Sequence, residues 1–522
     1  MSEAPLILGV SGLRGIVGES LTPEVAVRYA GSFGSWLQEQ IPERRPYVLV
    51  ARDGRAGGEV VYTAAISALL ASGCRVRRLG IAMTPTVGMQ CDYIKGDAAV
   101  IITASHNPQE WNGIKLLVRR AGWDEGDSDG RGIVDQSLSD ACAPDAVTAG
   151  EIIGRFEGGR IDWWGGQDVD DSSVDDDVEH PHCLRVLDAC EIAMGEERGR
   201  YWEWFEERSK LRVVIDSVNC SGTATCMALF EDTPVQAIHL YGENTGIFPH
   251  TPEPTRENLS GAGGLCDAVP GLKADVGFAQ DPDADRLAIV DELGNYIGEE
   301  YTLVLCAAAL MEGRKGSRLE AGCTKDGKPV FVVNLSTSRM IDDVAAHYGA
   351  EVVRTAVGEA NVVERMKALT ADGRDVVMGG EGNGGVIWAE VTYVRDSLSA
   401  MALTLSLMAR TGKTVSELVK MIEQMGPGRA GYSIIKKKAD LASKADAVPV
   451  VEHLTEVFER GPEARVDTQD GVRVDWDAKG IWAHVRASNT EPIMRVIVEA
   501  PTGELAEATA AMVEARIAEV RS

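Results

Sequence analysis

The chain has 522 residues, enough for three or four domains at about 150 residues each. Hydrophobic residues make up 44% and charged residues 25%, which is ordinary globular usage and excludes disorder throughout. With 52 basic and 80 acidic residues the formal charge is −28, so nucleic acid and anionic membrane are not expected partners. An anionic substrate would need a local basic pocket within this negative field.

The sequence predicts no membrane-spanning segment. The longest apolar stretches, Tyr301–Met311 and Leu398–Ala409, are too short to cross a bilayer and predict buried helices. The first five residues show neither the basic region nor the apolar core of a secretion leader, so we expect a cytoplasmic protein. The ten cysteines are scattered and form no Cys-x-x-Cys pair, which indicates reduced, structural thiols.

Three times along the chain, a short apolar run leads into a polar loop and then into a helical pattern. The three runs are Ala98–Ile102, Ala274–Ala279 and Asp375–Met378. This pattern predicts three similar domains, each a mixed sheet built from strand–helix units. Because open α/β sheets bind ligands at the carboxyl ends of their strands, we expect the three loops to converge on one cleft.

The last part of the chain has a different pattern. Val472–Trp476 and Ile481–Val485 alternate like the strands of a hairpin, a further strand is predicted at Ile493–Glu499, and a helix is predicted from Glu504 to Val520. This predicts a small α+β domain, with Gly426-Pro427-Gly428 as the linker in front of it.

Residues 120–180 resemble an insertion rather than a core segment. Seven of the twelve residues in Asp168–Glu179 are acidic, which is typical of a solvated surface loop, with a weak calcium site as the alternative. His180-Pro181-His182-Cys183 could contribute zinc ligands, but no second pair follows at a metal-binding spacing.

The first motif with chemical potential is Thr103–Pro108, followed by Asn112–Lys115. Ser105 would be exposed on a tight loop, where His106 and Lys115 could handle its proton and the charge of an incoming phosphoryl group. One alternative is a serine that caps a helix. Another is a Ser-His-Asp hydrolase, although its Gly-x-Ser-x-Gly pattern is absent.

The second motif is Asp281-Pro282-Asp283-Ala284-Asp285-Arg286. Three carboxylates at alternate positions can face one hard cation such as Mg²⁺, whereas without a cation they would repel one another. An EF-hand is an alternative because Glu292 falls at its twelfth position, but Arg286 stands where that loop needs glycine. An aspartyl-phosphate phosphatase is a further alternative without other support.

Two later segments predict sugar and phosphate binding. Gly379–Gly385 is predicted to be a glycine-rich turn in which the carboxylate of Glu381 and the amide of Asn383 could bind adjacent sugar hydroxyls. The alternative is a turn between a strand and a helix that binds no ligand. Arg486–Pro492 together with Arg495 would form a cradle for an anion, or a surface loop with paired ions. Phosphoryl transfer on a phosphosugar is indicated by the combination of a nucleophile, a metal site, a site for sugar hydroxyls and a site for an anion.

Five segments, in this order, resemble the signature loops of the α-D-phosphohexomutase superfamily, which includes phosphoglucomutase, phosphomannomutase and phosphoglucosamine mutase. They are Ser11–Gly15, Thr103–Pro108, Asp281–Arg286, Gly380–Gly384 and Arg486–Pro492, with lesser likenesses at Arg52–Arg55, Glu253–Leu259 and Arg354–Gly358. The resemblance covers nearly the whole chain apart from the acidic insertion. It implies three similar α/β domains and a smaller C-terminal α+β domain around a central cleft, which we place at residues 1–185, 186–298, 299–425 and 429–522.

The resemblance also implies roles for individual residues. Ser105 would be carried as phosphoserine and, with Asp281, Asp283 and Asp285, would hold Mg²⁺. It would pass its phosphoryl group to a hexose monophosphate, and the resulting hexose 1,6-bisphosphate would turn over and return the other phosphoryl group. Charge stabilisation and proton transfer are implied for Arg14, His106 and Lys115. Substrate binding is implied for Arg286, Gly358, Glu381, Asn383, Arg486, Ser488, Asn489, Thr490 and Arg495.

The chain departs from the family pattern in two loops. Asn383 and Gly385 replace the serine and histidine that bacterial members usually carry, and Pro282 and Ala284 stand where glycine is common. The sequence Gly380–Gly385 looks like that of an archaeal-type branch of the family, which favours phosphoglucosamine mutase over phosphomannomutase or phosphoglucomutase. We expect the protein to be a monomer or a homodimer. A catalytically inactive phosphosugar-binding protein is the alternative, and the retained serine and aspartates argue against it.

Overall fold

The computed structural model describes residues 5–120, 140–165, 172–175, 177–196, 201–208, 210–231, 233–315, 327–426, 431–441, 443–461, 463–488 and 493–521. The chain divides into two compact units. The first comprises Met1–Thr324 and Gly384–Leu418, and the second comprises Lys325–Asn383 and Val419–Ser522.

The first unit begins with a seven-stranded mixed sheet in the order β1-β2-β6-β5-β3-β4-β7. Its strands are β1 (Ile7–Gly9), β2 (Gly12–Ile16), β3 (Tyr47–Arg52), β4 (Arg75–Ile81), β5 (Ala98–Ile102), β6 (Trp111–Val118) and β7 (Ser172–Val174). Its helices are α1 (Pro23–Gln40), α2 (Gly58–Ala71), α3 (Thr84–Tyr93) and α4 (Ala146–Glu157). All five residues of β5 are buried, as expected of a central strand that is covered on both faces.

The ends of these elements follow from local chemistry. Thr22 caps α1 by accepting a hydrogen bond from the Val25 amide, and Pro23 occupies the first helical turn, where its missing N–H costs nothing. Strands β3, β4 and β5 are parallel, whereas β6 runs antiparallel to β5. The loop that connects β5 to β6 therefore leaves the sheet at the carboxyl end of a buried parallel strand, where open α/β sheets bind ligands.

A four-stranded sheet in the order β11-β10-β8-β9 follows in the same unit. Its strands are β8 (Arg212–Asp216), β9 (Gln236–Leu240), β10 (Val276–Gln280) and β11 (Leu287–Asp291). The helices before and within it are α5 (His180–Met194), α6 (Tyr201–Arg208), α7 (Gly222–Phe230), α8 (Arg256–Leu259) and α9 (Leu265–Gly271). Strands β10 and β11 are both fully buried and antiparallel, so the six residues between them make a tight connection in the core.

The region 299–425 contributes to both units. Its strands are β12 (Val330–Asn334), β13 (Glu351–Thr355), β14 (Val376–Glu381) and β15 (Gly385–Ile387), and its helices are α10 (Glu299–Arg314), α11 (Met340–Tyr348), α12 (Glu359–Ala371), α13 (Ser397–Thr411) and α14 (Val415–Met425). In the second unit, β13, β12 and β14 are parallel neighbours. In the first unit, the buried helices α10 and α13 pack against each other.

The C-terminal part of the second unit is a five-stranded antiparallel sheet in the order β16-β20-β19-β18-β17. Its strands are β16 (Ser433–Asp440), β17 (Arg465–Asp467), β18 (Val472–Trp476), β19 (Ile481–Ala487) and β20 (Ile493–Ala500), and its helices are α15 (Ala447–Glu459) and α16 (Gly503–Arg521). Burial alternates along the second half of β16, because one face of an antiparallel sheet can meet water while the other packs on helices.

The structure confirms the predicted buried helices at α10 and α13, the hairpin of β18 and β19, and the closing helix α16. One prediction needs correction: Gly379, Gly380 and Glu381 are the last residues of β14 rather than part of a loop, because the strand pairing with β12 continues to Gly380. Part of the acidic insertion and two residues of the predicted linker, Pro427 and Gly428, lie outside the described residues.

Among the described residues, no helix combines the length and the apolar character required to cross a bilayer. The described cysteines other than Cys142 carry free thiols, and Cys323 lies outside the described part. Burial raises the pKa of Cys74 and Cys183 to about 12 each, so both thiols are protonated at neutral pH.

Candidate functional site

The serine loop, Thr103–Pro108, runs from the end of β5 towards the start of β6 at Trp111. Ser105 has a φ of +50°, in the left-handed region where a residue with a Cβ is strained. Its N–H donates to Thr103 Oγ1 over 2.8 Å, and the Arg55 guanidinium donates to its carbonyl oxygen, which together hold this conformation. Because the loop joins two strands, the alternative that Ser105 caps a helix is wrong.

The Ser105 hydroxyl lies between an acceptor and a cation. It donates to Asp281 Oδ2 over 2.7 Å, and Arg286 Nη2 donates to it over 3.2 Å. The prediction that Ser105 is exposed is wrong: the residue is only 5% exposed, because Arg55, Asp281 and Arg286 pack around it, so these contacts are shielded from bulk water. A phosphoryl group on this oxygen would therefore meet positive charge in a weakly screened environment.

His106 is a neutral neighbour of this hydroxyl. Its Nδ1 lies 3.3 Å from Ser105 Oγ and also accepts a hydrogen bond from Arg286. The positive charge of Arg286, followed by burial and by the charge of Arg14, holds the pKa of His106 well below its usual 6.5. The positive charge beside Ser105 therefore comes from arginine rather than from an imidazolium ion.

The aspartate cluster consists of Asp281, Asp283 and Asp285, which follow β10 directly. All three residues are fully buried, and one carboxylate oxygen from each lies within 4.8 Å of the others. The chain turns between them at Ala284, whose φ is +53°. Glycine would adopt this left-handed turn without strain, whereas alanine adopts it at some energetic cost.

The aspartate cluster contains buried carboxylate oxygens without hydrogen-bond partners among the described residues. The Oδ1 atoms of Asp283 and Asp285 are buried and have no hydrogen-bond partner among the described residues. Burial, followed by repulsion from Asp285 and Asp281, raises the pKa of Asp283 to about 8. A hard divalent cation would supply the missing partners of these two oxygens, so the cluster could hold a metal ion.

Four cations surround the aspartate cluster. Lys115 Nζ lies 3.0 Å and Arg395 Nη2 lies 2.5 Å from Asp285 Oδ2. Burial opposes ionisation of Asp285, but Arg395, Lys115 and Arg286 together hold its pKa below the usual range. With Arg14, which donates to Asn107 Oδ1 over 2.8 Å on the serine loop, these groups form a local basic site in a chain of net charge −28.

Sequence reasoning missed two residues that contact the aspartate cluster. Arg395 is 110 positions from its partner Asp285, and no local pattern marks it. Thr84 opens α3, where its N–H donates to the Asp283 carbonyl oxygen and its hydroxyl donates to Asp283 Oδ2, each over 2.9 Å. Only the Thr84-Pro85 pair, a helix-start signal after a strand, could have drawn attention to this position.

Glu381, the predicted sugar reader, lies at the carboxyl end of β14 in the second unit. Its Oε1 accepts hydrogen bonds from Asn334 Nδ2 over 2.8 Å and from the Gly358 amide over 3.2 Å. Gly358 has a φ of +128°, which other residues rarely adopt, so its backbone can turn towards the carboxylate. Asn383 is half-buried in the turn that follows β14.

The predicted phosphate-binding arginines lie on neighbouring strands. Arg486 on β19 and Arg495 on β20 are directly opposite in the antiparallel register, so their side chains leave the same face of the sheet. Two like charges at this spacing repel each other unless an anion lies between them. Arg486 Nε is buried and has no hydrogen-bond partner among the described residues, which is the state expected of an anion-binding group.

The loop between these strands is only partly described. Ser488 is 5% exposed, and its N–H donates to the Ile493 carbonyl oxygen over 2.9 Å, which closes the loop at its base. Asn489 and Thr490, two of the predicted phosphate ligands, lie outside the described residues. Burial lowers the pKa of Arg486, while Asp470 and Glu381 favour its charged form.

The predicted residues thus form two groups. The nucleophile, its charged neighbours and the aspartate cluster all lie in the first unit, where the structure brings them together. The predicted sugar-reading and phosphate-binding residues, apart from Arg286, lie in the second unit.

Four family models match successive parts of the chain. Residues 5–135, 202–294 and 299–425 match the alpha/beta/alpha domains I, II and III of phosphoglucomutase/phosphomannomutase, and residues 436–516 match its C-terminal domain. Together they span most of the 522 residues. The predicted four-domain α/β architecture is therefore confirmed.

Similar proteins are found in archaea and bacteria. A phosphoglucomutase/phosphomannomutase of Thermococcus kodakarensis is 31% identical over 96% of both chains. A protein of Methanopyrus kandleri named as a probable phosphoglucosamine mutase is 33% identical over 95% of this chain and 94% of its own. A crystal structure of a phosphoglucomutase/phosphomannomutase family protein from Burkholderia thailandensis, 21% identical, covers 99% of this chain and 98% of its own with a TM-score of 0.73.

Proposed function

We propose that Ser105 is the phosphoryl carrier of this chain, which belongs to the phosphoglucomutase/phosphomannomutase family and is a hexose-phosphate mutase. The contact that best supports the proposal is that between Ser105 Oγ and Asp281, 2.7 Å long and backed by Arg286. This contact puts a hydroxyl nucleophile at the edge of a candidate cation site.

The proposed reaction has two phosphoryl transfers. In the first, a sugar hydroxyl of the hexose monophosphate forms a bond to the phosphorus of phosphoserine while the bond from phosphorus to Ser105 Oγ breaks. The product is a hexose 1,6-bisphosphate, which turns over so that its other phosphoryl group returns to Ser105. Arg14, Lys115, Arg286 and Arg395 lie around the reacting centre, where their charge would stabilise the transferring group.

The aspartate cluster fits Mg²⁺. Its carboxylates are hard oxygen ligands, and two of its buried oxygens lack a partner among the described residues. We propose that Asp281, Asp283 and Asp285, with an oxygen of phosphorylated Ser105, hold the ion. When bound, it would neutralise charge on the transferring phosphoryl group.

Replacing Arg486 by lysine should weaken binding of the phosphosugar by about 1–3 kcal/mol, the range for losing a charged hydrogen bond. Lysine keeps the positive charge but loses the planar fork that binds a phosphate through two donors. The dissociation constant of a hexose monophosphate, measured by calorimetry, checks this. Arg465→Lys, on an exposed arginine of the same sheet, is the matched control and should leave it unchanged. Equal affinities for wild type and Arg486→Lys would place the phosphate elsewhere.

We propose that glucosamine phosphates are the preferred substrates, with mannose and glucose phosphates also accepted. Support comes from the archaeal-type turn that contains Asn383 and from the relatives named as phosphoglucosamine mutases. Glu381 and Asn383 would bind sugar hydroxyls that occupy similar places before and after the bisphosphate turns over. The substituent on carbon 2, by contrast, changes place between these two orientations. Discrimination at carbon 2 should then be modest, because a site rejects strongly only where a buried polar partner stays unpaired.

Replacing Glu381 by alanine should lower kcat/KM for glucosamine, glucose and mannose phosphates together, by roughly 10- to 100-fold, because a charged hydrogen bond to the sugar is lost. In the wild type, the three values should lie within roughly two orders of magnitude of one another. A coupled assay with the three 6-phosphates and with N-acetylglucosamine 6-phosphate measures the loss in the variant and the spread of the wild-type kcat/KM values. Glu351→Ala, an exposed carboxylate on the same sheet, is the control. A variant that spared one sugar while losing another would show that Glu381 reads carbon 2.

A further inference from the structure

Asn334, the last residue of β12, contacts the carboxylate that would read the sugar. Its Nδ2 donates to Glu381 Oε1 over 2.8 Å, and the two residues are 3% and 5% exposed. A hydrogen bond between an amide and a carboxylate in such a shielded place is strong, and costly to leave unmade. The contact joins the ends of two parallel strands of one sheet, so it fixes the carboxylate relative to the backbone.

The orientation of the Asn334 amide is determined by its other partners. Its Oδ1 accepts from the Ser336 amide over 2.9 Å and from Thr337 Oγ1 over 3.0 Å. Only the oxygen of an amide can accept two donors, so the nitrogen must face Glu381. Thr337 Oγ1 in turn accepts from the Gly382 amide over 3.2 Å, which ties the residue after Glu381 to the same loop.

The same loop reaches the strand that carries Arg486. Ser336 Oγ lies 2.9 Å from Nδ1 of the buried His484, whose Nε2 lies 2.7 Å from the Asp470 carbonyl oxygen. Burial lowers the pKa of His484 to about 4, so the ring is neutral, and Nε2–H donates while Nδ1 accepts. His484 stands two positions before Arg486 on β19. The loop 334–338 therefore links the sugar-reading carboxylate to the phosphate-binding strand.

We propose that Asn334 is a positioning residue for the mutase reaction, holding the Glu381 carboxylate in one orientation for both poses of the sugar. The inference rests on the proposed role of Glu381. A carboxylate that must serve two substrate orientations cannot be aligned by either one, so the protein has to fix it before the substrate arrives. Asn334 does this with a donor whose own direction is fixed by Ser336 and Thr337.

Asn334→Asp tests the proposal because it keeps the shape of the side chain and replaces the donor by a second carboxylate. We expect kcat/KM to fall by about tenfold or more near pH 8. The loss should shrink towards pH 6, since two adjacent carboxylates come to share one proton and the protonated form can donate again. Other charged or titratable groups near the pair include Arg354, Arg473, Arg486, Asp470 and His484, which the variant leaves in place.

Asn295→Asp is the matched control. Asn295 Nδ2 donates to Asp291 Oδ2 over 3.0 Å, so the same change brings two carboxylates together outside the proposed site, at an exposed asparagine. A ratio of variant to wild-type activity that depends on pH for Asn334→Asp but not for Asn295→Asp supports the proposal. Equal behaviour of the two variants at every pH overturns it.

A double-mutant cycle with Glu381→Ala separates positioning from a general loss of stability. If Asn334 acts through Glu381, Asn334→Asp should change kcat/KM less than about threefold in the Glu381→Ala background. A full loss in that background overturns the inference while leaving the mutase assignment intact, which Ser105→Ala tests independently. Should Asn334→Asp fail to fold, Thr337→Val removes one donor to the amide oxygen and must show the same dependence on Glu381.

Discussion

Ser105→Ala should abolish mutase turnover, with a loss in kcat of at least about 10³-fold, while the protein remains folded. The variant removes the only atom of this side chain that can carry a phosphoryl group. The backbone of the serine loop should survive, because the Arg55 and Thr103 hydrogen bonds reach the main chain of residue 105 rather than its hydroxyl. A coupled assay for hexose 6-phosphate formation and a thermal unfolding curve together measure both outcomes.

Ser35→Ala provides the control for Ser105→Ala. Ser35 is 1% exposed, and its hydroxyl donates to the Gly31 carbonyl oxygen over 2.9 Å within α1. This variant removes an equally buried hydroxyl from the same domain and should keep its turnover. A Ser105→Ala enzyme with more than a tenth of the wild-type rate would show that Ser105 is not the phosphoryl carrier.

Asp283→Asn should remove both the catalytic effect of Mg²⁺ and the thermal stabilisation that the ion confers. Losing one charged ligand should lower kcat by at least about 10²-fold, since phosphoryl transfer depends on charge stabilisation. In EDTA the variant should be as stable as the wild type or more so. Asparagine can still accept from Thr84, and it removes a carboxylate whose pKa is raised to about 8 by burial and then by repulsion from Asp285 and Asp281.

Unfolding midpoints of Asp283→Asn and wild type, each measured with EDTA and with Mg²⁺, check this prediction because a ligand that binds the folded state raises the midpoint. Asp267→Asn removes one charge from an exposed carboxylate of the same domain and should retain the Mg²⁺-dependent shift. A wild-type enzyme that kept full activity after exhaustive chelation would contradict a role for the metal.

The sequence was sufficient to predict those parts of the site that are encoded locally. Ser105, the aspartate cluster and Glu381 each follow a short apolar run, and such runs became the buried strands β5, β10 and β14. The spacing of the three aspartates predicted a shared cation site because alternate residues on a tight turn can converge. The structure adds the reason, a left-handed turn at Ala284.

The partners of these residues could not be predicted, because they come from distant parts of the chain. Arg395 reaches Asp285, Thr84 reaches Asp283 and Asn334 reaches Glu381 across 110, 199 and 47 positions, and each lies in a segment whose local pattern indicates only a strand end or a helix start. The neutral state of His106 also depends on such a contact, since Arg286 lies 180 positions away. Charge and hydrogen-bond partners depend on tertiary structure, whereas strands and turns follow largely from local sequence.

Transfer of the phosphoryl group from Ser105 to a hexose monophosphate in a single turnover tests the central claim most directly. Peptide mass spectrometry would locate phosphate on the purified enzyme, which would then be mixed with substoichiometric glucosamine 6-phosphate and Mg²⁺. We predict that the Ser105 peptide loses one phosphoryl group while an equal amount of hexose bisphosphate appears, and that Ser105→Ala shows neither change. Isomerisation of the sugar phosphate by an enzyme whose Ser105 carries no phosphate at any time would contradict the account.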